Sequence, residues 1–323
     1  MQRILEIAVN PCSAADLALR REQNARIEAA TKAEKPWYTY PSVADFRATG
    51  MPAHHSAWLN PAADIIDIPS TYGNHTIQLR RIVPTQGEAR GVWLHFHAGG
   101  FVVGSNSMCD SLLTTLADSL SLTLVSVEYR LAPEHLYPAA AEDCLDAALY
   151  ALSDEGAAAL GGRLRFMGGE SAGGYLTVQT ALALREKGVD VKRHLDGLIC
   201  HYGIYDLTYT PSLLSHEKEI ILSRECTIQC IDTAFPSGAE LRKEGRFSPL
   251  YANLERLPPA LFLVGPEDPL YDDSVFMAAK WAVAGNETSL KIVAEAFHGF
   301  TLLPCAAGEE GIAEVIKFVK AHC

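Results

Sequence analysis

The stretch Leu164-Arg-Phe-Met-Gly-Gly-Glu-Ser-Ala-Gly-Gly-Tyr175 decides how this chain is read. Leu164–Met167 is a short apolar run suited to a buried strand, and a helical pattern opens near Ala172. Between them lies G-x-S-x-G: Gly169, Glu170, Ser171, Ala172 and Gly173. Its glycines let the backbone pass through a tight, strained turn where a Cβ would collide. Ser171 then points its hydroxyl out over the sheet, with a helix N-terminus behind it that favours developing negative charge. The succession of strand, sharp turn and helix separates a nucleophile elbow from a glycine-rich turn holding an incidental serine.

Outward from this point, short apolar runs alternate with longer helical stretches. The runs are Val92–His97, Leu122–Val127, Leu164–Met167, Gly197–Cys200, Ala260–Val264 and Leu290–Val293. The helical stretches are 107–119, 138–153, 172–187, 272–284 and 309–321. Such alternation predicts βαβ units and a parallel sheet with helices on both faces. Upstream, Asp64–Pro69 and Thr76–Pro84 flank a turn-like cluster, Tyr72 to His75, and read as an antiparallel hairpin. Residues 1 to about 60 carry helical signals with Trp37, Tyr38, Tyr40 and Trp58. From Tyr205 to Pro258 the rhythm breaks over a span too long for a loop, and Pro211–Ile221 and Arg224–Phe235 look helical. The expected organisation is an N-terminal helical cap segment over 1–60 and an inserted cap segment over 205–245. The catalytic domain then comprises 61–204 and 246–323. The caps are expected to cover the C-terminal ends of the strands, where open α/β sheets bind ligands.

Composition narrows the class of function. With 48% hydrophobic and 20% charged residues among 323, the chain can bury a real core, which excludes disorder. The net charge of −12 repels phosphate backbones, so nucleic acid is not an expected partner. No apolar run reaches the roughly 18 residues of a membrane span. The first residues lack a signal-peptide pattern, so a cytoplasmic location is expected. The eight cysteines are scattered; only Cys226 and Cys230 stand close, four apart, without a second Cys/His pair at zinc spacing. No metal and no organic cofactor is expected.

A serine hydroxyl needs a base to act as a nucleophile. In this chain order the acid follows the serine and the histidine comes last. Past the last strands stand only His298 and the penultimate His322, and His298, in Ala296-Phe-His-Gly-Phe300, lies on a loop at the catalytic edge of the sheet. The histidines at 54, 55, 75, 95, 97, 135, 194, 201 and 216 precede the required position or lie in the cap, and structural roles are expected for them. The acid should follow the preceding strand. Val264-Gly-Pro-Glu-Asp-Pro offers Asp268, with Glu267 as the fallback, while Asp272 and Asp273 fall where a helix starts and read as ordinary caps. Upstream, Leu94-His-Phe-His-Ala-Gly-Gly-Phe101 follows a strand in the position of an oxyanion loop. The N–H groups of Gly99, Gly100 and Ala172 are the expected donors to a tetrahedral oxyanion.

Taken together these motifs resemble the hormone-sensitive lipase family of α/β-hydrolases, in its bacterial carboxylesterase branch. His97-Ala-Gly-Gly resembles the family's H-G-G-G loop, and Gly169–Gly174 its G-[DE]-S-A-G-G elbow. The stretch Glu128-Tyr-Arg-Leu-Ala-Pro-Glu-His-Leu-Tyr-Pro-Ala-Ala-Ala-Glu-Asp143 resembles its Y-R-L-A-P-E…P-A-A…D stretch. Asp268-Pro-Leu and His298-Gly-Phe resemble the acid and base motifs. The likeness spans about 60–323. Two residues depart from the pattern: Ala98 replaces the first loop glycine, and Glu170 precedes the serine where Asp or Thr is more usual. The resemblance implies an α/β-hydrolase fold with a mostly parallel eight-stranded sheet and a helical cap. It implies cofactor-free hydrolysis of short to medium acyl esters by Ser171, His298 and Asp268 through an acyl-enzyme, and often a homodimer. An amidase or another acyl-transfer enzyme would use the same triad. A non-catalytic binding protein on this scaffold is disfavoured by the presence of His298. Arg130 and Glu134 are expected to hold a structural salt bridge or backbone carbonyls.

Overall fold

A computed structural model describes residues 5–49, 59–235 and 238–323. His54, His55 and Trp58 lie outside the described residues. The strands are β1 (Leu5–Val9), β2 (Asp64–Pro69), β3 (Thr76–Ile82), β4 (Val92–Phe96), β5 (Thr123–Glu128), β6 (Leu164–Glu170), β7 (Gly197–His201), β8 (Ala260–Val264) and β9 (Thr288–Ile292). They form one sheet in the order β1-β9-β8-β7-β6-β4-β5-β3-β2. The β2–β3 and β3–β5 pairs are antiparallel and every other pair is parallel. Every residue of β4, β7 and β8 is buried, as expected of parallel strands covered on both faces. Helices Ala139–Leu152 and Ala172–Glu186 pack on each other, and Asp110–Leu120 packs on Ala306–His322.

The topology sets the position of the site. β4 pairs with β5 on one side and with β6 on the other. The chain therefore leaves β4 in one direction and returns to its opposite flank. This is a topological switch point, where a crevice opens beyond the strand ends. The loop after β4 and the turn after β6 meet there.

The structure departs from the sequence reading in three places. The sheet has nine strands, not eight, because Leu5–Val9 adds β1 along β9 within a segment read as wholly helical cap. Its five residues carry no clean alternation, and Glu6 is held by Lys291 Nζ of β9 at 2.6 Å, a long-range contact that no local pattern reveals. The helix read over Pro211–Ile221 stops at Ser215, and Ile221 takes a left-handed φ of 64° while Ile220 turns into the core. Asp272 and Asp273 do not cap their own helix, Tyr271–Val283. Asp273 accepts hydrogen bonds from the N–H groups of Tyr205 (2.6 Å) and Asp206 (2.8 Å) and from Thr210 Oγ1 (2.8 Å), and Asp272 accepts from the Ser212 N–H at 2.7 Å. These carboxylates tie the start of the 205–245 segment to the core. Among the described residues no helix is long and apolar enough to cross a membrane.

Candidate active site

The elbow is built by steric necessity. Ser171 stands between β6 and helix Ala172–Glu186 at φ 57°, ψ −115°, a conformation that costs a non-glycine residue of order 1–3 kcal/mol. A Cβ on Gly169 would lie 2.1 Å from the Phe96 carbonyl oxygen, and one on Gly173 would lie 1.8 Å from the same atom. The spacing of the two glycines about Ser171 is thus fixed by the end of β4, against which the turn is pressed. The Ser171 N–H donates to the His201 carbonyl at 2.9 Å, holding the turn from the β7 side.

Three residues distant in sequence converge on this turn. The Ser171 hydroxyl donates to His298 Nε2 at 2.8 Å, and His298 Nδ1–H faces both Asp268 oxygens at 3.0 Å. Asp268 Oδ1 also accepts the Leu270 N–H at 2.8 Å, which orients the carboxylate. Gly299, at φ 82°, turns the chain immediately after His298. The Tyr202 ring packs edge-on against the imidazole at 4.9 Å, and its hydroxyl meets Thr301 Oγ1 at 2.6 Å. Glu267, the alternative acid, points away and pairs with Lys218.

Gly99, Gly100, Ala172, Ser171 and His298 line one cavity of about 760 Å³, within the range of small-molecule sites. The loop after β4 is shaped by its glycines: Gly99 sits at φ 120° and Gly100 at φ 60°. The Gly99 carbonyl accepts from the N–H groups of Val102 and Val103, closing a turn. Ala98 is accommodated with its methyl group buried, and its carbonyl accepts His97 Nδ1–H at 2.6 Å. Tyr129 supports the same loop, stacking on His97 at 4.1 Å and donating its hydroxyl to the His97 carbonyl at 2.7 Å. Arg130 pairs with Asp143 and Glu142, while Glu134 pairs with Arg47, so the expected structural bridges form between other partners.

The structure accounts for Glu170. Its carboxylate is buried beneath the elbow, 2.9 Å from His95 Nε2, and His95 Nδ1 meets Ser126 Oγ at 2.9 Å. His201 Nδ1 lies 3.8 Å away on the other side. Burial alone would raise the Glu170 carboxyl, but the charge and hydrogen bond of His95 outweigh it and hold the group below the usual carboxylate range. Burial pushes His201 down to about 4 and His97 to about 3, so both are neutral. Ligand atoms of His95, Cys109 and Glu170 lie within 4.8 Å of one another. The His95–Glu170 hydrogen bond already occupies that space.

Several cavity residues escaped the sequence reading. Trp37, from the N-terminal segment, and His216, Ile221, Cys226, Cys230 and Ile231, from the 205–245 segment, line the cavity. His216 is half-buried, and burial lowers its imidazole from the ordinary value. Its loop has no motif; only the fold brings it near His298. The four-residue spacing of Cys226 and Cys230 was the one available signal.

Known proteins agree with this architecture. The family model described as alpha/beta hydrolase fold matches residues 93–302. The chain is 28% identical over 260 residues to the ethyl acetate hydrolase of Pseudomonas putida, covering 78% of this chain and 81% of the relative. It is 31% identical over 270 residues to the carboxylic ester hydrolase LipN of Mycobacterium tuberculosis, covering 80% and 69%. Among solved structures it is similar to a hyperthermophilic esterase from the archaeon Pyrobaculum calidifontis, with a TM-score of 0.79 at 25% identity, covering 97% of this chain and 99% of the other. A serine-to-alanine mutant of an α/β hydrolase from the metagenome of Lake Arreo, Spain, superposes with a TM-score of 0.81 at 26% identity, covering 94% and 96%. The chain belongs to the α/β-hydrolase fold family, in its hormone-sensitive-lipase-like branch.

Proposed function

We propose that this carboxylic ester hydrolase cleaves short to medium acyl esters through a triad of Ser171, His298 and Asp268, by way of an acyl-enzyme. The observation that carries the reading is the relay itself. Ser171 Oγ lies 2.8 Å from His298 Nε2, whose Nδ1–H faces the Asp268 carboxylate at 3.0 Å, at the floor of a cavity large enough for a small ester. His298 takes the serine proton as Oγ attacks the ester carbonyl. Asp268 fixes the tautomer and stabilises the imidazolium, without itself taking the proton. The N–H groups of Gly99, Gly100 and Ala172 receive the oxyanion. His298 then protonates the departing alcohol and activates the water that releases the acid.

The N-terminal residues from Thr31 to Phe46 and the segment from His216 to Ile231 act as a cap over Ser171, an assignment supported by their place in the cavity wall. The small ester named for the Pseudomonas relative fits the short end of the acyl range. A cytoplasmic location and a homodimer belong to the same reading. The test is kcat/KM on p-nitrophenyl esters of graded chain length, with the matching anilides as the amide control. A maximum among short and medium acyl chains with anilides far slower is the expected result; preference for anilides would turn the reading to an amidase.

A further inference from the structure

We propose that Cys226 and Cys230 form a dithiol site in the wall of the substrate cavity that captures a soft thiophile able to bind two sulfurs, such as a trivalent arsenical, and that its occupancy blocks the Gly99–Gly100 loop.

The two residues lie one turn apart on helix Arg224–Ala234, and both line the cavity that holds Ser171 and His298. Each is partly exposed, unlike the buried Cys109, Cys144, Cys200 and Cys305. They are therefore surrounded by protein yet open to whatever enters the pocket. One helical turn separates them, so the two side chains share one face of the helix. The neighbouring thiol lowers Cys226 from the usual thiol range and Cys230 is raised in turn, so the first proton lost leaves the thiolate on Cys226. Trp37, from the N-terminal segment, lines the same cavity.

The geometry selects the ligand. Helical neighbours four apart keep their Cβ atoms about 5–6 Å apart, whereas a disulfide needs roughly 3.5–4.5 Å. A direct S–S bond would require the helix to unwind, but an atom that bridges the two sulfurs across this gap would not. With phenylarsine oxide each thiol gives up its proton, two S–As bonds form, and the arsenic-bound oxygen leaves as water. Arsenic remains trivalent, and no oxidant is needed.

Occupancy reaches the reaction through Gly100. A Cβ built on Gly100 would lie only 2.5 Å from Cys230 Sγ, so the thiol is packed directly on the loop that supplies the proposed oxyanion donors. A phenylarsenic group on this sulfur has no room except the cavity in front of that loop.

The site is tested by intact-mass spectrometry of the full chain after one equivalent of phenylarsine oxide, with p-nitrophenyl acetate hydrolysis followed in parallel. One phenylarsenic unit per chain is expected, with a loss of rate of about 100-fold, comparable to losing an oxyanion donor. Both should be reversed by 2,3-dimercaptopropanol and persist in the same thiol concentration of mercaptoethanol. Cys226→Ser and Cys230→Ser should each lose the dithiol-specific adduct, with inhibition scored against each variant's own untreated rate. Cys226→Ala serves where a serine lowers the melting temperature. Cys12→Ser/Cys323→Ser should keep the adduct. No adduct on the wild-type chain, or an adduct that survives both single cavity substitutions, overturns the site; an adduct at the pair with full activity overturns the block. The proposal rests on the esterase reading only for its rate assay, so a chain without esterase activity would still reveal the adduct by mass.

Discussion

Glu170 Oε2 and His95 Nε2 meet at 2.9 Å in the core directly beneath the nucleophile turn. The pair links β6 to β4, the two strands whose ends carry the elbow and the proposed oxyanion loop. A buried carboxylate is tolerated only when paired and hydrogen-bonded, and His95 satisfies both conditions for a residue that the sequence leaves unexplained.

Glu170→Gln should therefore weaken the register between elbow and loop without touching substrate. The expected loss is about tenfold in kcat, equivalent to about 1.4 kcal/mol, with KM little changed. Steady-state kinetics on p-nitrophenyl acetate measure the split. A rise in KM alone would assign Glu170 to the pocket wall instead.

Ser171→Ala should reduce ester turnover by about 10⁶-fold while leaving the fold intact, because the residual rate then comes only from binding and the oxyanion hole. Activity and circular dichroism on the same preparation check this. Near wild-type turnover in folded protein would falsify the triad.

Asp268→Asn should cost about 10⁴-fold in kcat through the wrong imidazole tautomer. Glu267→Gln should change the rate by no more than a few fold, since Glu267 pairs with the exposed Lys218 at the surface. The reverse ranking of kcat/KM would move the acid assignment to Glu267.

Stability should fall on acidification. His97 and His201 are held neutral by burial, at about 3 and about 4 against an ordinary 6.5. As pH falls below about 6.5 the unfolded chain takes up protons that the folded chain refuses, so stability is lost through that window. Asp273 acts in the opposite sense. Burial raises its carboxyl from 3.8 to about 7, so the folded chain keeps a proton there that the unfolded chain has released, and stability falls as pH rises between those values. Two imidazoles outweigh one carboxyl, and the net change is a loss on going from about pH 6.5 to about pH 5. Asp273→Asn removes the opposing group and should steepen that loss. Urea unfolding at both pH values provides the measurement; a wild-type midpoint that rises at the lower pH would contradict it.

The local chemistry was legible in the chain. G-x-S-x-G between an apolar run and a helix, a glycine pair after the strand at 92–96, and an Asp and a His past later strands each carry a short-range signature, since each is imposed by backbone sterics or by strand-end position. These sufficed for the fold family and for picking out Ser171, His298 and Asp268, which the structure brings together with His298 2.8 Å from Ser171 and 3.0 Å from Asp268. Long-range pairing decided the rest. β1 exists because β9 offers it a free edge, and five residues by themselves cannot announce a partner nearly three hundred positions away. Asp273 fastens the inserted segment rather than capping its own helix, because Tyr205 and Asp206 arrive beside it only in the folded chain. Cys226 and Cys230 were visible as a pair on one helix face. That this face looks into the cavity and onto Gly100 follows from packing between segments more than a hundred residues apart, which leaves no periodicity in the sequence.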